Sequence, residues 1–460
     1  MGKLILSFDT EDFVTPESDD ALLMLATELH KHGREGCFAL VGDKLRGLLA
    51  RGRRDVIEAL RAHEIDYHSN DHHFFPLQAP LLEEMSWEDG LRWVIEHEAR
   101  GVELIEQTFG DRPVAYIKAD SHWTPPTLCA YRRLGIEVYS SRHFAAADPQ
   151  PYRYMNLQCL PYAGMLDAFI AREGTPEQLA DAALAEVQSK LGAAGEHPVV
   201  YGTHPCMWVC EKFYDVHNVK RRGHPPAKAK WQPAPLLPPE RIERNRKFLR
   251  RFLDGLDAAG VAQMSYAELR SGARPDTFPR LRGGLEGLCR QVLKRFAATT
   301  AGGKTFSAAE LLAMLCWVIA RHGEGDPGQP PLRHPLGPIE TPRTLAAPLP
   351  VCGRALQGAA QYADRHISET GHIPAGVDVG GHHFPAGPLL MALAEGYLRL
   401  SEGKKLGCSP LRVMPDCPEE QSLLEGQRIG AWSLPPDFHP ARLLEWGRLQ
   451  SWTLAPMPPR

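Results

Sequence analysis

The sequence lacks any long hydrophobic run. Nowhere in its 460 residues does an apolar stretch approach the ~20 residues of a membrane span, so no transmembrane helix is expected. It also lacks an excess of charge of one sign. The formal net charge is −4, which excludes the basic field that nucleic acid or an anionic membrane would need. The N-terminal run Met1–Asp9 reaches an acidic residue before a signal-peptide core can form, and a soluble, cytoplasmic protein is expected. The ten cysteines are scattered. Cys206 and Cys210 have a conceivable ligand spacing but no second pair beside them, which argues against a zinc ribbon. The others read as small buried thiols in a reducing compartment, Cys37 within Gly36-Cys37-Phe38-Ala39-Leu40-Val41 among them.

What is present is an alternation of two periodicities, in a chain that is 43% hydrophobic and long enough for two or three domains. Strand patterns fall at Lys3–Phe8, Cys37–Val41, Ile65–His68, Val114–Lys118, Ile136–Ser141, Val199–Gly202 and Ala262–Ser265. Helix patterns fall between them, near 17–33, 43–63, 87–108, 125–134, 175–193 and 239–258. This rhythm predicts an α/β fold of parallel strands wrapped by helices, and the number of strands suits a barrel better than an open sheet.

Chemistry collects at three of the strand ends. Leu4-Ile5-Leu6-Ser7-Phe8 runs into Asp9, Glu11 and Asp12, and carboxylates crowded at a strand end repel one another unless a cation joins them. Ile65-Asp66-Tyr67 runs into His68-Ser69-Asn70-Asp71-His72, and two imidazoles with a carboxylate form a common facial set for a divalent ion. Val199-Val200-Tyr201-Gly202-Thr203 runs into His204-Pro205. Taken singly, these segments also read as a solvated acidic turn, a histidine-rich loop and a histidine before proline. Together, at the end of an α/β sheet where active sites gather, they read as one centre.

In these motifs and their order, residues 3–270 resemble the polysaccharide deacetylase family, of the NodB-homology, carbohydrate esterase family 4 type. The resemblance implies a distorted (β/α) barrel that removes acetyl groups from sugars with one divalent metal: zinc first, with cobalt, manganese or nickel as alternatives. It assigns Asp9 as general base, Glu11, His68 and His72 as metal ligands, with Asp12 as a substitute for Glu11, and His204 as general acid. The family's Arg-x-Pro motif is altered here. Tyr116-Ile117-Lys118-Ala119-Asp120-Ser121-His122-Trp123 sets Lys118 in place of the arginine that holds the base, and Asp120 in place of the proline. Lys118 lacks the bidentate fork of arginine. Asp120, with the aromatic Trp123 and Trp208, is expected to contact the substrate, and Asp120 is also a possible further ligand. A backbone N–H at Ser121 or His122 is a candidate for the oxyanion site. The expected partner is a carbohydrate substrate, and oligomerisation is left open. Two other readings stay beside this one: a metal-dependent amidohydrolase on a non-sugar C–N bond, and a glycan-binding protein with a degenerate barrel.

Cys206–Pro238, after the third histidine, is a long insertion rich in Trp, Lys and Pro. It reads either as a sugar-stacking lid or as a proline-stiffened excursion packed on the barrel rim. Beyond 1–272, residues 273–300 read as a linker, 301–404 as a smaller mainly helical domain, and 405–460 as an irregular tail that wraps over the barrel or dimerises. Thr305–Leu315 is echoed by His383–Leu393, a weak internal repeat. The stretch around Gly371-His372-Ile373-Pro374-Ala375-Gly376-Val377, within 350–400, resembles a pseudomurein-binding repeat, with a helical packing domain as the alternative.

Overall fold

The computed structural model describes residues 2–72, 77–119, 123–141, 150–219, 227–271, 284–323, 329–426, 429, 434 and 437–458. Asp120, Ser121, His122 and residues 220–226 of the insertion lie outside them.

The apolar runs form β1 (Leu4–Thr10), β2 (Cys37–Leu40), β3 (Glu64–Tyr67), β4 (Ala115–Ile117), β5 (Val138–Ser140), β6 (Tyr152–Tyr154), β7 (Leu157–Leu160), β8 (Tyr162–Met165) and β9 (Val199–Thr203). With a short strand at Ala455–Pro456 they make one ten-stranded sheet. Its order is Ala455–Pro456, β6, β7, β5, β4, β3, β2, β1, β9, β8. Every pair from β7 to β8 along this order is parallel, and β6 and the last strand are antiparallel to their neighbours.

The sheet curls into a half-barrel and does not close, which corrects the expected barrel. Its edges are β8 and Ala455–Pro456, which do not pair. Ala262–Ser265 was expected to add a strand but makes one bridge, to Leu4 of the interior strand β1 through Gln263, before the chain turns into the helix Tyr266–Ser271. Side chains alternate across the sheet as the pleat requires. Leu4, Leu6, Phe8, Phe38 and Leu40 pack under the helices, while Ile5, Cys37, Ala39, Ile117, Val138 and Val200 face inward against Met264, Tyr266 and Leu269.

Helices form at Glu17–Lys31, Trp87–Phe109, Pro125–Arg133, Pro176–Ala194 and Pro239–Ala258, close to the expected ranges. Those starting at Trp87, Pro125 and Pro176 are capped by the side chains of Ser86, Thr124 and Thr175. The helix expected over 43–63 is two, Gly42–Ala50 and Arg54–Leu60, because Gly52 takes φ +68° between them. The stretch before residue 175, where no strand pattern was read, holds the β6–β7 hairpin and β8.

After residue 284 a second apolar core forms around the helices Gly284–Lys294, Ala308–Ala320, Gly353–Thr370 and Ala386–Ser401. The weak repeat is visible as a twice-used helix–hairpin–helix. In each copy a Gly-Gly pair with positive φ, Gly302-Gly303 or Gly380-Gly381, turns the hairpin. The final segment is not irregular throughout. It forms the helix Ala441–Leu449 and the edge strand of the main sheet, and the Tyr154 hydroxyl donates to the Gly447 carbonyl.

Candidate metal and acid–base centre

Parallel pairing of β1 between β2 and β9, with β3 beyond β2, brings the three chemistry-bearing strand ends to one rim of the sheet. Glu11 follows β1, and His68 and His72 follow β3. The two Nε2 atoms aim at the same carboxylate oxygen: His72 Nε2 is 2.7 Å and His68 Nε2 3.4 Å from Glu11 Oε2. All three side chains are buried. Their ligand atoms lie within 4.8 Å of one another.

This arrangement needs an unusual backbone. Ser69 has φ +80° and His72 φ +52°, both left-handed without being glycine. The loop is held there by several hydrogen bonds. The His72 N–H donates to Ser69 Oγ, the Asn70 N–H donates to Glu98 Oε2, and the N–H groups of Gly42 and Asp43 take up the Ser69 and Asn70 carbonyls. Gly42 is required by the close approach, since a Cβ there would lie 2.6 Å from the Asn70 carbonyl oxygen.

Burial raises the Glu11 carboxyl, but the charges and hydrogen bonds of His72 and His68 outweigh it and hold the group well below the usual carboxylate range. An ionised carboxylate and two imidazoles converging on one point in a buried site fit a divalent ion. Asp12, the alternative ligand, is engaged elsewhere. Its Oδ1 accepts the N–H groups of Val14 and Thr15, each at 2.9 Å, and fixes the turn that enters the first helix.

Beside this triad sit Asp9 and His204, the candidate acid–base pair. Asp9, near the end of β1, accepts a 2.7 Å hydrogen bond from the Tyr162 hydroxyl at Oδ1, and its Oδ2 lies 3.5 Å from His204 Nε2. Burial lifts the Asp9 carboxyl above its ordinary value, against the lowering effect of His68, His204 and the Tyr162 hydrogen bond. His204 ends β9, and its Nδ1 lies 2.5 Å from Asp167 Oδ2. Burial pulls the imidazole down, but Asp167 first, then Asp9 and Glu11, push it up to about 10. Asp167 is itself held by the Thr203 hydroxyl at 2.6 Å and the His204 N–H at 3.2 Å.

Of the remaining expected site residues, Asp120 lies outside the described residues. Lys118 is half-buried just after β4, and a hydrogen bond on Asp9 comes from Tyr162. Trp208 is fully buried, with its indole N–H on the Thr203 hydroxyl and its ring beside Phe248, so it supports the His204 strand from behind. Trp123 is likewise buried, in the core beneath the helices. The described part of the insertion packs on the rim. Tyr214 and Trp231 are buried, Trp231 stacks on Phe13, and the Tyr214 ring lies 6.1 Å from that of His72. The insertion thus builds a wall of the centre.

Sequence reasoning did not find Tyr162, Asp167 or Glu98. The first two follow Leu157-Gln158-Cys159-Leu160, a strand-like run whose hairpin turn, Met155-Asn156, carries asparagine in the left-handed region. Glu98 lies buried on a long helix, and nothing in its local pattern sets it apart.

The fold and the site thus define a mixed α/β protein with a buried carboxylate–imidazole triad beside an aspartate–histidine pair. No family model matches the chain, and no curated protein matches its sequence. Among solved structures it is similar to a family 4 carbohydrate esterase from Streptomyces lividans in complex with acetate, at 11% identity and TM-score 0.32, over 57% of this chain and 92% of that one. It is similar to a CE4 family pseudoenzyme from Bacillus anthracis at 12% identity and TM-score 0.34, over 60% of this chain and 67% of that one. The match to a mutant of that pseudoenzyme with restored activity spans 56% of the mutant's length. A 4-alpha-glucanotransferase from Thermococcus litoralis is similar at 14% identity and TM-score 0.40, over 60% of this chain and 41% of that one. These likenesses are partial, and the reading of the site rests on its own geometry.

Proposed function

We propose that this protein is a metal-dependent hydrolase that removes an acetyl group from an N-acetylated sugar or glycan. The observation that carries the reading is the placing of Asp9 Oδ2 and His204 Nε2, 3.5 Å apart, beside the Glu11–His68–His72 triad. An amide is a poor electrophile, so its hydrolysis needs an activated water, stabilisation of the developing oxyanion and a proton for the leaving nitrogen. A divalent ion held by Glu11, His68 and His72 supplies Lewis acidity toward an acyl oxygen and acidifies water.

The side chains supply the proton transfers. Asp9 takes the water proton at Oδ2 while Tyr162 fixes Oδ1, so one oxygen is committed to position and the other to chemistry. His204 gives a proton from Nε2 to the departing nitrogen. Asp167 on Nδ1 keeps the ring oriented and charged until that step. The aromatic wall of buried Tyr214 and Trp231 with half-buried Phe13 lowers the local dielectric and strengthens these interactions. The sugar preference rests on the resemblance of the three motifs, and acetate release from a panel of N-acetylated sugars by zinc-loaded protein tests it. Acetate freed from N-acetylated sugars and not from cyclic ureides or simple amides is the expected result. The reverse pattern would move the reading to a non-sugar amidohydrolase.

A further inference from the structure

The inner face of the half-barrel carries a second convergence of ligand-type groups, on the same strands but toward their opposite ends. Cys37 opens β2 and pairs with Glu64, which opens β3. Asp66 lies two residues further along β3 and so presents to the same face as Glu64. The Cys37 Sγ and one oxygen of each carboxylate lie within 4.8 Å of one another. Cys37 and Asp66 are fully buried.

The hydrogen bonding of this cluster is half complete. Asp66 Oδ1 accepts the Ala115 N–H at 2.9 Å, and Glu64 Oε2 accepts the Ala267 N–H at 2.9 Å. The other two oxygens, Asp66 Oδ2 and Glu64 Oε1, are buried and meet no N–H among the described residues, and the two carboxyls lie within hydrogen-bonding reach of each other. Two more acids stand close enough for their charges to be felt, since Glu64 and Glu268 both act on Glu35. Among the described residues no lysine, arginine or histidine pairs with Glu64 or Asp66; Lys3 reaches only Glu268, at 4.0 Å. Unpaired buried oxygens facing a second acid cost several kcal/mol unless a proton or a cation joins them.

We infer that Cys37, Glu64 and Asp66 bind a second divalent cation, structural rather than catalytic, of the thiophilic class to which zinc belongs. One sulfur with two carboxylates suits zinc, whereas calcium and magnesium take all-oxygen sets. A cavity of about 370 Å³ lined in part by Glu35, Gln263, Met264 and Glu268 opens nearby, though none of the three proposed ligands lines it. The ion clamps β2 to β3 beneath the rim. β3 is the strand that delivers His68, so the clamp fixes the register on which the upper centre depends. The inference does not rest on the proposed reaction: the site fills whether or not the upper centre hydrolyses anything.

Cobalt(II) alone, added to the metal-free full-length chain, tests this. The wild-type protein is expected to take up two equivalents and to show a thiolate-to-cobalt charge-transfer band in the near ultraviolet. Cys37→Ser removes the band and one equivalent. Asp66→Asn, which keeps the side-chain volume, weakens or removes the same equivalent. His68→Ala removes the other equivalent and leaves the band. Cys206→Ser, near the upper centre, leaves both. A wild-type chain that binds one equivalent with no thiolate band would overturn the inference, and a proton shared between Glu64 and Asp66 would then account for the cluster. A band lost in Cys206→Ser and kept in Cys37→Ser would overturn it equally. The wild-type spectrum decides the matter even if a variant fails to fold.

Discussion

Asp167 Oδ2 lies 2.5 Å from His204 Nδ1, and the same carboxylate takes up the His204 backbone N–H and the Thr203 hydroxyl. One acid therefore sets both the orientation and the charge of the imidazole. The strand β9 delivers His204, the segment after β8 delivers Asp167, and parallel pairing of these two strands brings the groups together.

Replacing Asp167 with Asn should release the imidazole. His204 is pushed up to about 10, mainly by Asp167 against the pull of burial. Without that charge it falls back toward its ordinary value near 6.5. A group whose proton is needed for turnover sets the high-pH limb, so that limb should move to lower pH in Asp167→Asn while bound zinc is unchanged. A pH–rate profile with metal analysis checks both.

Tyr162→Phe removes the hydrogen bond that steadies Asp9. That bond lowers the carboxyl, opposing the burial that raises it. Its loss should raise the Asp9 carboxyl further, and the low-pH limb should move to higher pH. Hydrogen bonds to a charged group contribute about 1.5–3 kcal/mol, so turnover should drop roughly 10- to 100-fold. A limb that stays in place would show that Tyr162 has no hold on the base.

Metal content separates Glu11 from Asp12. His68→Ala, His72→Ala and Glu11→Ala should each lose the upper-site ion on dialysis. Asp12→Ala should keep it, because Asp12 Oδ1 serves the Val14 and Thr15 N–H groups. Its effect should be a lower melting temperature, because the Val14 and Thr15 N–H groups lose their acceptor. Loss of the ion in Asp12→Ala with the fold intact would place the ligand one residue later.

A chain ending at Ser271 should retain upper-site metal, since every residue of the centre precedes that point. It should lose solubility, because removal of Ala455–Pro456 and the helix Ala441–Leu449 uncovers the β6 edge and the apolar surface around Tyr154. Metal analysis and light scattering on the shortened chain test the two halves of this expectation.

The sheet strands that run from β1 to β5, together with β9, were legible because each is a short apolar run bounded by polar or glycine residues. The convergence of Glu11, His68 and His72 was legible because these residues follow closely on such runs. The open sheet was not legible, since whether β8 and Ala455–Pro456 pair across its edges is a long-range matter, and Ala262–Ser265 has a strand pattern but makes one bridge only. Trp208 was read differently for a local reason. An aromatic four residues after His204 invites a stacking role, but the short 3-10 turn Pro205–Trp208 buries the indole beside Phe248. Tyr162 and Asp167 were hidden because their value lies in contacts to residues 153 and 37 positions away, which no local pattern reports.

The most direct test is acetate release by zinc-loaded wild-type protein, Asp9→Asn and His204→Ala, measured on one N-acetylated sugar with metal content determined on the same samples. A base and an acid acting beside a metal predict full metal occupancy in all three, with turnover lower by ~10²–10⁴-fold in each variant. Turnover near the wild-type rate in His204→Ala, with metal retained and the high-pH limb unmoved, would contradict the assignment of the acid–base pair.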